Sequence, residues 1–167
     1  KKQFDNILTI IIPRHINRVR EINNELSKLN LRIVLSSALD QIDNKTDIVL
    51  IDSYGETLKF FNISKCVFVG KSLVRSLALD GGQNPIEPAR LGCEILHGPN
   101  VSNFFEIYDY FKTLGIAKEV KNSDQLCVSL VELFTENKPK NSENIKKIDN
   151  YGQNIFNNVI IELKKYI

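Results

Sequence analysis

Short β-branched apolar runs alternate with amphipathic stretches along most of this chain. The run Ile7-Leu8-Thr9-Ile10-Ile11-Ile12, stopped by Pro13, predicts a strand buried on both faces. Ile16, Val19, Ile22, Leu26 and Leu29 then recur at helical spacing with charges between them, which predicts a helix from about Asn17 to Leu29. Leu31–Leu35 and Asp47–Asp52 read as the next two strands, so the chain opens with a βαβ unit. A short helix over Gly55–Asn62 carries Leu58 and Phe61, and a fourth strand over Cys66–Val69 ends at Gly70. Glu94–His97 is a fifth strand and Ile116–Val120 a sixth. Between them Phe104, Ile107, Tyr108, Phe111 and Leu114 mark a helix over Asn103–Leu114, with Asn103 and Glu106 spaced as a capping box and Gly115 as its stop.

A helix over about Ser123–Phe134 follows, the segment 136–141 breaks the pattern, and residues 141–167 read as a long closing helix through Ile145, Ile148, Ile155, Val159 and Leu163. At roughly 25 residues and almost 40 Å it exceeds what covering a sheet requires, so part of it is expected to pack against a missing neighbour or to wrap the domain edge. This alternation predicts an α/β fold, a Rossmann-like doubly wound parallel sheet of about six strands with helices on both faces. In such sheets ligands bind at the carboxyl ends of the strands.

The residues after the strands are therefore the candidate chemistry. Pro13, Arg14 and His15 follow the first, Asp52 to Glu56 the third, and Gly70-Lys71-Ser72 the fourth. Arg14 can pair with a phosphate through its planar fork, and Gly55 opens a helix at a second possible anion site. Alternatively, Arg14 and His15 form an ion pair with Asp52 or cap a helix. The richest stretch is Gly81-Gly82-Gln83-Asn84-Pro85-Ile86-Glu87-Pro88-Ala89. Asn84 suits an N-cap and Pro85 the first helical position, while Gly81 and Gly82 leave no Cβ in the way of an approaching phosphate. Glu87 can accept both hydrogen bonds of a ribose diol, or it can return to the Asn84 N–H in a capping box.

Composition narrows the classes. The 167 residues and 43% hydrophobic content suffice for a single domain. Charge nearly cancels, 22 Lys and Arg against 20 Asp and Glu, so the basic field of a nucleic-acid binder is missing. Three scattered cysteines and two histidines suggest neither a disulfide framework nor a metal site. No apolar run reaches membrane-spanning length, which predicts a soluble domain. The absence of methionine predicts a piece of a longer protein. Gly70-Lys71-Ser72 is not a P-loop, because Lys65 stands where the first glycine is required, and no G-x-G-x-x-G follows Ile12.

Taken in order, Pro13-Arg14-His15, Tyr54-Gly55-Glu56, Phe68-Val69-Gly70 with Ser72-Leu73-Val74, the stretch Gly81–Ala89, and Gly98-Pro99 with Asn103-Phe104 resemble the carboxyl-terminal half of 3-deoxy-D-manno-octulosonic acid (Kdo) transferases. The resemblance covers roughly Ile7–Phe105. It implies one half of a two-domain GT-B glycosyltransferase that moves Kdo from CMP-Kdo to a lipid A precursor at the cytoplasmic face of the inner membrane. Residues 1–167 would then be the donor-binding domain, with an amino-terminal acceptor domain lying outside this chain. That missing part would supply membrane association and the general base, so this piece would bind without turning over. No metal or other cofactor is implied.

By the same resemblance Pro13, Arg14 and His15 meet the CMP phosphate, Tyr54, Gly55 and Glu56 line the nucleotide site, and Gly81, Gly82, Asn84, Pro85, Ile86 and Glu87 hold phosphate and ribose. The chain departs from the family pattern at Tyr54 (usually Met), Gln83 (His), Lys71 (Gly) and Ile16-Asn17 (Pro-Glu), and its 75–80 link is longer. The other readings are a GT-B donor domain for a UDP-sugar and a Rossmann-like interaction module without a ligand.

Overall fold

The computed structural model describes Phe4, residues 7–136 and residues 138–166, with the backbone alone for residues 78–80. The chain divides into two compact units, Lys1–Phe60 and Phe61–Ile167.

In the first unit three strands, β1 (Thr9–Ile11), β2 (Ile33–Leu35) and β3 (Ile48–Leu50), form a parallel ladder in the order β1-β3-β2. The apolar run between Asp47 and Asp52 takes the centre, where a strand has neighbours on both edges. Leu50 is fully buried there, and Val49, Ile51 and Phe60 form a core with Ile10 and Ile12 against it. One sequence expectation is corrected: β1 is an edge strand of this ladder, with Thr9 exposed and Ile10 and Ile11 half-buried, rather than buried on both faces. β3 pairs with both β1 and β2 and so lies between them. The helix between them, α1 (Val19–Ser27), is entered through a 3-10 turn at Ile16–Arg18.

α2 (Thr57–Ile63) contains the boundary between the units. The second unit holds β4 (Cys66–Phe68), β5 (Glu94–His97) and β6 (Ala117–Glu119), parallel and in that order. Around them lie α3 (Ile86–Arg90), α4 (Phe105–Thr113), α5 (Ser123–Glu136) and α6 (Ser142–Leu163). β5 is central and its Ile95 and Leu96 are buried, Ile95 within one cluster with Val69, Ala89, Cys93, Val101, Tyr108, Phe111, Ile116 and Ile148. α4 stops at Gly115, whose φ of +70° is the left-handed geometry glycine adopts without penalty. α6 starts at Asn141, whose side chain accepts the Glu143 and Asn144 N–H groups at 2.9 and 3.2 Å. Its first half is seated by Ile148, by an Arg90–Asp149 ion pair of 2.6 Å and by stacking of Tyr151 on Tyr110. Beyond Gly152 its apolar side chains Ile155, Phe156, Val159 and Leu163 are exposed, and the end of the expected closing helix at Ile167 lies outside the described residues. No described helix is long and apolar enough to cross a membrane.

Candidate functional site

The predicted residues fall into the two units and are described unit by unit. In the first, Pro13-Arg14-His15 leave the carboxyl end of β1 and Asp52–Glu56 follow that of β3, its ladder neighbour. Pro13 is half-buried, and Arg14 and His15 are exposed. His15 precedes the 3-10 turn without a side-chain capping bond. Asp52 is held by serines instead. Ser36 Oγ donates to one of its oxygens at 2.7 Å, Ser37 Oγ to the other at 2.6 Å, and the Ser37 N–H donates at 2.9 Å. Chiefly the Ser37 hydroxyl bond, with Ser36 adding to it against the cost of burial, keeps the Asp52 carboxyl below its usual range. Ser36 and Ser37 close the end of β2, so this bond set ties two strand ends together. The sequence carried a signal for it, a Ser-Ser pair directly after Ile33-Val34-Leu35, that the reading of strand ends passed over.

Tyr54 is largely exposed and Gly55 takes φ of +83° with nothing near its missing Cβ. Glu56 accepts the Ser53 hydroxyl and pairs with Lys59 at 3.3 Å, which together hold its carboxyl low. The Lys59 and Phe60 N–H groups donate to the Glu56 carbonyl. Glu56 is thus the residue on which α2 begins.

In the second unit the turn Gly81–Glu87 enters α3. Asn84 Oδ1 accepts the Ile86 N–H at 2.9 Å, as an asparagine at a helix start can, but the Ala89 N–H reaches the Pro85 carbonyl, so Pro85 rather than Asn84 is the N-cap and Ile86 is the first helical residue, one later than expected. Pro85 is buried, Ile86 is half-buried, and Asn84 and Glu87 are exposed. The capping-box alternative is not formed, since among the described residues no group bonds the Glu87 carboxylate. The two glycines do something the sequence did not reveal. A Cβ on Gly81 would lie 2.1 Å from Asn103 Oδ1, and one on Gly82 would meet Val101 Cγ1 at 3.2 Å and the Tyr108 hydroxyl at 3.5 Å. Their missing Cβ atoms let the turn sit against the loop and helix after β5.

That packing also corrects the reading of Asn103. α4 begins after a 3-10 turn at Ser102–Phe104 and has no side-chain capping bond, while the Asn103 amide donates to the Gly82 carbonyl at 2.9 Å. Behind the turn, Ser72 is fully buried: its hydroxyl donates to the Val69 carbonyl at 2.6 Å and accepts the Gly98 N–H at 2.8 Å. The Ser72 carbonyl takes the Asn100 N–H at 2.8 Å. His97 lies buried with Nδ1 2.7 Å from the Gly98 carbonyl and its ring 4.4 Å from that of Tyr108. Burial pushes the His97 pKa down and the Tyr108 pKa up, so both are neutral near pH 7. Ser72, His97 and Tyr108 are the framework of this rim. Their signal, polar residues inside otherwise apolar strand ends and helix faces, is also that of ordinary solvent-facing positions.

Among the described residues no three His, Cys, Asp or Glu side chains cluster as a metal site would require. A cavity of about 170 Å³ between β5, β6 and α5 is lined by Glu94, Lys118, Glu132 and Glu136 among others and contains none of the predicted residues.

No protein-family model matches the chain. It is 28% identical over 153 residues, 92% of its length, to the 3-deoxy-D-manno-octulosonic acid transferase of Haemophilus influenzae. It is 31% identical over 146 residues, 87% of its length, to the enzyme of that name from Rickettsia felis. The chain spans about a third of the length of these curated relatives, 34% and 30%. Among solved structures it superposes on the C-terminal CMP-Kdo binding domain of WaaA from Acinetobacter baumannii with a TM-score of 0.78 and 26% identity, covering 88% of this chain and 76% of that one. By its motifs and by sequence over most of its length the chain is therefore similar to the 3-deoxy-D-manno-octulosonic acid transferases, and its fold matches that of a carboxyl-terminal CMP-Kdo-binding domain.

Proposed function

We propose that this chain is the donor-binding part of a glycosyltransferase that moves Kdo from CMP-Kdo to a lipid A precursor. In the reaction an acceptor hydroxyl oxygen bonds to the anomeric carbon of Kdo as the bond from that carbon to the CMP phosphate oxygen breaks. CMP leaves with the electron pair, and the hydroxyl proton passes to a base outside this chain. The chemistry needs no metal where an arginine fork such as that of Arg14, or backbone N–H groups at strand ends, can meet the phosphate charge. Glu87 receives the ribose hydroxyls. The acceptor site and the attachment to the inner membrane belong to the remaining two-thirds of a protein built like the relatives.

The observation that carries this reading is the second-unit turn: an exposed Glu87 in the first turn of α3, beside an Asn84 side chain that holds the Ile86 N–H, in a chain whose fold matches a CMP-Kdo-binding domain at 26% identity. Isothermal titration with CMP tests it. Saturable heat is expected by millimolar CMP, with weaker binding of UMP and UDP. A Glu87→Ala variant should bind CMP at least tenfold more weakly, the scale of a hydrogen bond to a charged group. A preference for UDP would assign the chain to a UDP-sugar donor domain, and a flat response to all three would end the nucleotide reading.

A further inference from the structure

The residues expected to touch the nucleotide sit on a turn that has little conformational rigidity of its own. Gly81 takes φ of +68° and Gly82 carries no side chain, so these two residues do little themselves to fix where Asn84 and Glu87 point, and after them the Gln83 N–H reaches the Gly70 carbonyl at 3.4 Å. A further restraint comes from the segment that enters α4. Asn103 Nδ2 donates to the Gly82 carbonyl at 2.9 Å. The other end of the same carboxamide fills the space a Gly81 Cβ would need, 2.1 Å from that position. Tyr108 adds a long bond of 3.4 Å to the Gln83 carbonyl. One asparagine thus meets two consecutive glycines, one by hydrogen bonding and one by shape.

We propose that Asn103 is the positioning residue of the donor turn: by clasping Gly81 and Gly82 it holds the 81–87 backbone in the one conformation that presents Asn84 and Glu87 to the nucleotide. This rests on the donor-binding reading above. It also gives a reason for the glycines that is independent of any phosphate, because a Cβ on Gly81 collides with the Asn103 carboxamide and one on Gly82 presses on Val101 at 3.2 Å.

The test is a CMP titration of the 167-residue chain as wild type, Asn103→Ala, Asn103→Asp, Glu87→Ala and the Asn103→Ala/Glu87→Ala double variant, each shown to be folded by circular dichroism at the titration temperature. Asn103→Asp keeps the size of the side chain and removes the donor, so it decides the matter where the alanine variant does not fold. Each Asn103 variant is expected to weaken CMP about tenfold, the scale of one hydrogen bond's contribution to holding the turn. The double variant should lose less than the product of the two single losses, because part of what Asn103 positions is the Glu87 already removed. Amide resonances of residues 81–87 should shift in Asn103→Asp while those of β1–β3 stay in place. Folded Asn103 variants that bind CMP as wild type does, or losses that multiply in the double variant, would overturn the positioning role and leave the donor-binding reading standing. A wild-type chain that takes up no CMP would overturn that reading and this inference with it.

Discussion

Ser72 joins the segments that follow β4 and β5 through one buried side chain and its carbonyl. Ser72→Ala leaves the Gly98 N–H and the Val69 carbonyl without that partner, which is expected to cost about 2–3 kcal/mol in urea unfolding. Gly98→Ala is expected to be worse, since a Cβ there would stand 2.3 Å from the Ser72 carbonyl oxygen and 2.5 Å from Leu73 Cα, and backbone cannot rotate away as a side chain can. Its cost should exceed the roughly 1–3 kcal/mol of ordinary overpacking. Lys71 shows the opposite sign. It holds φ of +68°, a conformation that costs a residue with a Cβ about 1 kcal/mol or more, and the resembled family usually has glycine at this position. Lys71→Gly is expected to raise stability by less than about 1 kcal/mol, because the freer unfolded chain offsets part of the relief.

His97 supplies a pH dependence with a definite sign. Burial holds its pKa below the ordinary 6.5, so the folded state takes up its proton later than the unfolded chain. Its contribution to stability is fully present above about pH 6.5 and is lost as pH falls from there through the lower folded value. Asn in its place can offer an amide N–H where Nδ1 stands, without the titration. The stability of His97→Asn, followed by urea unfolding between pH 7.5 and 5, should accordingly fall less steeply than that of wild type.

The elements were legible from the sequence to different depths. β5 was read to the residue, and α6 with its Asn141 start was marked by the break before it. The order of strands was not legible, because β1 and β3 carry nearly the same β-branched run and only the pairing makes β3 central. At the site, the Asn84 bond to the Ile86 N–H followed from residue types that favour helix starts, though the cap itself falls one residue later at Pro85, whereas the clasp on Gly81 and Gly82 joins residues about twenty apart and leaves no local mark. Asn103 was read as a cap because asparagine before an apolar run is what a cap looks like, and its tertiary partner outcompeted the local one. α6 tests how far burial, rather than pattern, sets energy. Ile148 and Val159 belong to one apolar stripe, yet Ile148 is buried and Val159 about half exposed. Ile148→Ala is expected to cost about 2–4 kcal/mol and Val159→Ala to stay within about 0.5 kcal/mol.

At the scale of the molecule, two units of different core size share one chain. Among the described residues the first has a contiguous core of Val49, Ile51 and Phe60 with Ile10 and Ile12 packed on it, the second nine buried residues with eight more against them. Burial of apolar surface is the main favourable term in folding, so opening free energies should follow these cores rather than strand count. Each ladder has three parallel strands, which makes the comparison a fair one. In native-state hydrogen exchange the amides of β3 are expected to exchange through openings of lower free energy than those of β5, although both strands are central in their ladders. Equal protection of β3 and β5 would mean that the chain opens as one cooperative body despite the unequal cores. Saturating CMP adds a second reading of the same measurement. A ligand at one hundred times its dissociation constant stabilises the states that bind it by about 2.7 kcal/mol, so strands whose opening destroys the site slow by that amount and strands that open without disturbing it do not. Slowing at β5, whose following loop meets the clasped turn, is the outcome the donor-binding reading requires.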